Sequence, residues 1–206
     1  MSTRKKMWLI AGIFFVGAGL LYGLVSSVGI DRIVRKLNPS HQSGPIDQSR
    51  GEKEYPEINL SNASSLQKQI VSITKDEFYA QPGGTKYSEG VSEPWCADFV
   101  SWTLRQSGTP LKNPNSGGWR IPGTYTLLDF YKQNGRFREA NSGYSAKLGD
   151  VALYRASPVF GDHANFVLKN DSGVLTTIGG NENGRIRVFV NQAKQYEGLL
   201  GYGVIE

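Results

Sequence analysis

A run of residues without a single charge, residues 7–30, sets the strongest limit on what this chain can form. As a helix rising ~1.5 Å per residue, the run would extend roughly 36 Å, enough for the ~30 Å hydrocarbon core of a bilayer. Arg4, Lys5 and Lys6 precede it, and three more basic residues follow within residues 32–36. We therefore predict that residues 1–37 form a basic terminus with one transmembrane anchor helix.

A secretory signal peptide is the alternative interpretation of the same run. Its apolar region would span about 7–15 residues and end at a small-x-small cleavage site. The run in this chain is longer, and the Val-Ser-Ser sequence at residues 25–27 is a poor cleavage site. We therefore favour an uncleaved, single-pass anchor.

The basic character of the chain belongs to this terminus alone. The sequence has 23 basic and 18 acidic residues, a net charge of +5. Six of the basic residues and one acidic residue lie in residues 1–36, so the remainder of the chain is neutral overall. A neutral domain lacks the basic surface of a nucleic-acid binder, and we predict no nucleic-acid partner.

The residues after the anchor divide into a linker and one domain. Residues 38–57 are rich in Pro, Ser, Gly and charge and show no helical or strand period, which predicts a flexible linker. Residues 58–206 are numerous enough to bury a core and predict one folded domain. One cysteine, two histidines and the lack of a glycine-rich phosphate loop argue against a metal site or a cofactor.

The predicted domain has a helical half followed by a strand half. Apolar residues recur at helical spacing near residues 66–78, 95–107 and 125–131, and glycines follow the last two runs. Short β-prone runs separated by Gly, Asn and Asp turns then occupy residues 151–154, 163–169, 174–178, 186–190 and 199–205. This order predicts an α+β domain in which helices pack on an antiparallel sheet.

Cys96 lies at the start of the second predicted helix, directly after a Pro-Trp pair. Free backbone N–H groups and the helix dipole stabilise a thiolate at such a position. Cys96 and Phe99 fall on the apolar arc of this helix, whereas Asp98 and Ser101 fall on the opposite, polar arc. The alternative is that Cys96 is a small buried hydrophobic residue, as most lone cysteines are.

His163 opens a predicted strand. Alternation along this strand puts His163 and Asn165 on one face and Ala164 and Phe166 on the other. A helix packed on the first face would bring Cys96 to the imidazole, which is the minimum machinery for cysteine nucleophilic catalysis. The alternative is a strand-end histidine that contacts only water.

A third polar group is needed to orient the imidazole. The segment after the next strand, residues 177–183, supplies the candidates. We predict Asn181 in this role, by comparison with Cys-His-Asn sites, with Glu182 as the alternative. Without the Cys–His pair, the same segment would simply predict a tight Gly/Asn turn.

Residues 94–102, PWCADFVSW, resemble the cysteine motif of CHAP domains, the cysteine- and histidine-dependent amidohydrolases/peptidases. These domains are relatives of the NlpC/P60 cell-wall peptidases in the papain-like superfamily. Further matching blocks follow the order of the family, so that the resemblance covers about residues 62–205. These blocks are Lys86-Tyr87, Leu-Gly-Asp-Val at residues 148–151, Asp-His-Ala at residues 162–164 and Ile-Gly-Gly-Asn at residues 178–181.

The resemblance implies a papain-like α+β fold and cleavage of peptidoglycan amide bonds, as an amidase or an endopeptidase. It implies Cys96 as nucleophile, His163 as base and Asn181 as a polar residue of the site. The chain departs from the family at one position, because many members have Glu before the Gly-Asn pair and this chain has Gly179.

The expected partner of the domain is peptidoglycan. We expect substrate contacts from five residues around the Cys–His pair: Trp95, Tyr87, Trp119, Asn165 and Glu182. Because such a substrate lies outside the cell membrane, we predict that the anchor holds the domain on the extracytoplasmic side.

Two other classes of function remain open from the sequence. One is a CHAP-fold module that binds the cell wall without turnover. The other is a scaffolding part of a secretion, conjugation or division assembly, with membrane partners that the sequence does not identify.

Overall fold

The computed structural model of the chain describes residues 54–192 and 197–205. The predicted anchor at residues 7–30 and most of the predicted linker lie outside these residues. Within the described ranges, no helix is both long and apolar enough to cross a bilayer.

Three α-helices form the first half of the described domain, as predicted. They are α1 (Ser65–Ala80), α2 (Cys96–Gln106) and α3 (Thr124–Gln133), and a short 3₁₀-helix covers Gly84–Lys86. A capping box starts α1: Ser64 Oγ accepts from the Gln67 N–H at 3.2 Å, and Gln67 Oε1 accepts from the Ser64 N–H at 2.9 Å. Helix α2 begins at Cys96 with no side chain capping its first turn, so its first backbone N–H groups are left for other acceptors.

The second half forms an antiparallel sheet of six strands in the order β1-β6-β2-β3-β4-β5. The strands are β1 (Phe137–Glu139), β2 (Val151–Ser157), β3 (Gly161–Asp171), β4 (Val174–Gly179), β5 (Arg187–Gln192) and β6 (Leu199–Gly203). The prediction of an α+β domain with an antiparallel sheet is therefore confirmed for the described residues. Strand β1 escaped prediction because its three residues are too few to show alternation, and its pairing with β6 is long-range.

The folded domain begins before residue 58, the predicted end of the linker. Tyr55 is buried and packs its ring against Phe78, with centroids 5.9 Å apart. Its hydroxyl lies 3.0 Å from the hydroxyl of Thr74, inside α1. The packing of the domain therefore includes Tyr55, because this aromatic side chain in a polar segment has a partner that only the fold provides.

The helices pack on the sheet face that carries Ala164, Phe166 and Leu168. Phe99 of α2 contacts Phe166 directly, with ring centroids 6.5 Å apart. The expectation that the helix lies on the face of His163 and Asn165 is therefore wrong. The physical reason is that the Ala-Phe-Leu row is entirely apolar, and burying it under the helices gains more hydrophobic free energy.

Helix α2 is buried on its polar arc as well. Ser101 donates to the Ala97 carbonyl at 2.9 Å and accepts from the Ile121 N–H at 3.1 Å. Asp98 accepts from Arg120 Nε at 2.7 Å. The segment that carries Arg120 and Ile121 therefore covers the face that the sequence placed opposite the core, and it supplies hydrogen-bond partners to Ser101 and to one oxygen of Asp98.

Candidate active site

Cys96 is the first residue of α2 and is only 5% exposed. Its side chain lies beside that of His163, close enough for the thiol to influence the imidazole. The pairing of β3 with β4 ends at Phe166 and Ile178, so His163 lies beyond the paired part of the two strands. The thiol therefore meets the imidazole where β3 is no longer paired with β4 but is still paired with β2, through Tyr154.

The approach of the helix start depends on Gly180, just after β4. A Cβ atom at this position would overlap the indole of Trp95 and lie 2.8 Å from Phe99 Cβ. The bare backbone of Gly84 meets the same indole on another side. Trp95, the residue before the nucleophile candidate, is thus held by two glycines that leave room for its ring.

His163 also contacts a carboxylate. Its Nε2 atom lies 3.1 Å from Glu182 Oε1, and both side chains are buried. Because Nε2 is engaged by Glu182, Nδ1 is the ring nitrogen left for the thiol of Cys96. The three side chains therefore form one chain of thiol, imidazole and carboxylate.

The pKa of His163 is raised to about 9 in this environment. Burial is the largest influence and lowers it, but the hydrogen bonds and charges of Cys96 and Glu182 together outweigh burial. The imidazolium form is consequently favoured at neutral pH. A protonated imidazole beside a thiol is the arrangement required for a thiolate–imidazolium pair.

Burial also raises the pKa of Glu182, and the hydrogen bond to His163 opposes this effect. A polar contact from the Asn165 amide and the charge of Arg187 lower the same pKa. Asn165 is fully buried on β3, two residues from His163. Its position makes it a neighbour of the carboxylate, and the expected contact of Asn165 with substrate stays a prediction.

A pocket of about 270 Å³ opens beside the imidazole. Phe160 stacks on His163 at one side, with ring centroids 5.1 Å apart and planes 16° apart. The remaining lining residues are apolar, amide and carboxylate side chains and one glycine: Pro158, Val159, Gly161, Asn181, Glu182, Asn183 and Phe189. A ligand in this pocket could reach the imidazole of His163.

Asn181, the predicted orienting residue, lines this pocket but is not the hydrogen-bond partner of the imidazole. Glu182, which was the alternative, lies in that position. The difference arises from the turn after β4, where Asn181 and Asn183 both adopt left-handed conformations with φ of 60° and 56°. No sequence signal distinguishes adjacent residues of such a turn, because the direction of each side chain depends on the backbone path.

Tyr87 and Trp95 support the helix start and do not face the pocket. Their rings stack 5.1 Å apart at an angle of 15°, and both are buried. The Tyr87 hydroxyl donates to Glu77 Oε2 at 2.6 Å, and Lys86 Nζ lies 2.5 Å from Glu77 Oε1. Both rings are enclosed by protein, and the expected substrate contacts of Tyr87 and Trp95 stay predictions.

Trp119 lines a different pocket from the one beside His163. It borders an open pocket of about 340 Å³ that shares no lining residue with the pocket beside His163. The guanidinium of Arg105 lies 4.5 Å above its ring. No group of three or more His, Cys, Asp or Glu side chains is placed to hold a metal ion in residues 54–192 and 197–205.

The family model of the CHAP domain matches residues 87–181. The matched segment contains Cys96 and His163 and ends at Asn181, one residue before Glu182. The match supports the resemblance to CHAP domains and, with it, a peptidoglycan-related amidase or peptidase role. A search of curated proteins and a search of solved structures each found no match.

Proposed function

We propose that this chain is a cysteine hydrolase that cleaves amide bonds of peptidoglycan, with Cys96 as nucleophile and His163 as proton carrier. The bond is either the N-acetylmuramoyl–L-alanine amide or a peptide bond of the stem or cross-bridge. The observation that carries the proposal is the buried chain of thiol, imidazole and carboxylate formed by Cys96, His163 and Glu182.

The reaction begins with transfer of the thiol proton of Cys96 to Nδ1 of His163. The raised pKa of His163, about 9, favours this transfer at neutral pH. The thiolate then attacks the carbonyl carbon of the substrate amide and forms a tetrahedral intermediate. Backbone N–H groups at the uncapped start of α2, including that of Cys96, are available to stabilise the oxyanion.

The C–N bond breaks as His163 donates its proton to the leaving nitrogen, which departs as an amine. The pocket beside the imidazole provides room for the part of the substrate that carries this amine. The acyl group remains as a thioester on Cys96. A water molecule then attacks the thioester carbon while His163 accepts its proton, and the C–S bond breaks to release the carboxylate product.

The test is release of soluble muropeptides from purified cell wall by the full chain. The wild type should release them, and Cys96→Ala should not, because the acyl-enzyme cannot form. Cys96→Ser keeps the size of the side chain and serves as the matched control for packing, with strongly reduced release expected. Equal release by the wild type and Cys96→Ala would contradict the proposal.

Alkylation with iodoacetamide provides a second readout. Cys96 is the only cysteine of the sequence, so the mass added to the protein reports this thiol alone. Rapid alkylation without wall digestion would favour a wall-binding module that keeps the pair but performs no turnover. Slow alkylation together with no digestion would remove the support for any cysteine chemistry.

We also propose that residues 7–30 anchor the chain in the cell membrane with the domain on the extracytoplasmic side. The support is the length of the uncharged run and the basic residues on both sides of it. Protease should degrade the domain when it is added to cells whose cell membrane is intact and whose outer layers have been made permeable. Its protection under these conditions would contradict this location.

A further inference from the structure

Gly179, the last residue of β4, is not required by its backbone conformation. It is absent from the described residues that have a left-handed φ, so any amino acid could adopt its main-chain angles. The space around it is the restriction. A Cβ atom at this position would overlap Glu182 Oε1 and would lie 2.9 Å from both Asn165 Cβ and His163 Nε2.

The Glu182 carboxylate therefore occupies the volume in which a side chain of residue 179 would begin. It reaches this volume from the turn that follows β4. The left-handed residues Asn181 and Asn183 flank Glu182, and its N–H donates to the Arg185 carbonyl at 2.9 Å. This closed turn holds Glu182 so that its side chain points back toward the strand that it follows.

We propose that Gly179 is a positioning residue that acts together with Glu182. Because residue 179 has no side chain, the carboxylate of Glu182 can extend from the turn into the space beside β4. There the carboxylate orients His163. The inference uses the Cys96–His163 pair of the proposed function but does not depend on the substrate. In the alignment that the resemblance to CHAP domains implies, many family members have Glu where this chain has Gly179. In this chain residue 179 has no side chain, and the carboxylate beside His163 comes from Glu182, three positions later.

Two consequences follow for substitution at these positions. Any side chain at 179 displaces Glu182 from His163, so Gly179→Ala and Glu182→Ala should have the same chemical effect. Once Glu182 has been truncated, the overlap of the Cβ at 179 with its oxygen is gone, and only the 2.9 Å contacts with Asn165 Cβ and His163 Nε2 remain. The second substitution should therefore cost less than Gly179→Ala costs on its own.

The test is a double-mutant cycle in the full chain, read as the rate of Cys96 alkylation by iodoacetamide between pH 6 and pH 10. Gly179→Ala and Glu182→Ala should each slow alkylation at neutral pH, by about tenfold for each pKa unit that His163 loses. The double variant should lose clearly less than the sum of the two single losses. Gly123→Ala is the control, because its Cβ would have an ordinary contact of 3.6 Å with Thr126 and should leave the rate unchanged.

Additive losses in the cycle would overturn the proposal, as would a wild-type rate in Gly179→Ala. Circular dichroism and thermal unfolding of each variant show whether it has folded. If Gly179→Ala does not fold, the role of the carboxylate is tested with Glu182→Gln, which keeps the shape of the side chain and removes only its charge. The proposal then requires Glu182→Gln to alkylate more slowly at neutral pH and to reach its full rate only at higher pH, and an unchanged profile would overturn it.

The alkylation experiment separates this inference from the proposed function. A coupled cycle in a protein that releases no muropeptides would support the role of Gly179 and contradict the hydrolase. Additive effects in a protein that digests cell wall would support the hydrolase and contradict the role of Gly179.

Discussion

Phe160 covers one face of the His163 imidazole, with the two rings nearly parallel at 16° and their centroids 5.1 Å apart. Phe160 lies in the turn between β2 and β3, and Phe189 of β5 supports it from the side at 5.5 Å. An aromatic face stabilises a cation placed over it. The stack therefore restricts the rotation of the imidazole and favours its protonated form.

Replacing Phe160 with Ala should weaken the imidazolium and leave the fold intact. The loss of about 1 kcal/mol of cation–π stabilisation corresponds to a roughly fivefold decrease in the rate of Cys96 alkylation at neutral pH. Phe160→Tyr keeps the ring and is the matched control, with a rate near that of the wild type. A full rate in Phe160→Ala would show that the stack has no influence on the pair.

The pH dependence of wall digestion should report the protonation of His163. Because the pKa of His163 is raised to about 9, the imidazolium needed by the leaving amine persists through neutral pH and is lost as the pH rises through that value. Activity should therefore decline on the alkaline side with a midpoint near pH 9. The measurement is kcat/KM for muropeptide release over pH 6–10, and a midpoint at the ordinary histidine value of 6.5 would contradict the ion pair.

The same shift has a consequence for stability. A raised histidine pKa contributes stability that is complete below the ordinary value of 6.5 and is lost as the pH rises through about 9. The free energy of unfolding in urea should therefore be lower at pH 10 than at pH 6. In His163→Gln this part of the pH dependence should disappear, and an identical decrease in both proteins would assign it to other groups.

Tyr87→Phe should destabilise the domain by about 1–2 kcal/mol, because the buried Glu77 loses the hydroxyl that donates to it at 2.6 Å. The stack of Tyr87 on Trp95 should survive, since the ring remains. Denaturation in urea measures the change. Tyr125→Phe is the matched control, because Tyr125 is exposed, and a loss of the same size there would show that the buried hydroxyl has no special role.

Asp98→Ala should cost about 1–3 kcal/mol in the free energy of unfolding, because Arg120 loses its buried acceptor at 2.7 Å and keeps only the carboxylate of Glu93. Asp129→Ala removes an exposed aspartate from α3 and should change the stability by less than about 0.5 kcal/mol. Equal effects of the two substitutions would show that the ion pair does not hold the covering segment on α2.

The local pattern predicted most elements because their signals lie within a few residues. Alternation placed His163 and Asn165 on the face opposite Phe166, and the structure agrees. The pattern did not reveal which of these faces the helices cover. That choice depends on the summed burial of residues from several elements, and no window of sequence contains this sum.

The sequence by itself determined that a helix begins at Cys96 and that His163 lies near the start of a strand, because periodicity and turn residues near each position are enough to place them. Only the tertiary structure decided that Glu182 and not Asn181 contacts the imidazole. It also decided that the bare backbone of Gly179 is what admits the carboxylate. The physical reason is excluded volume: two side chains cannot share one space, and which atoms compete for it is settled only when distant segments of the chain meet.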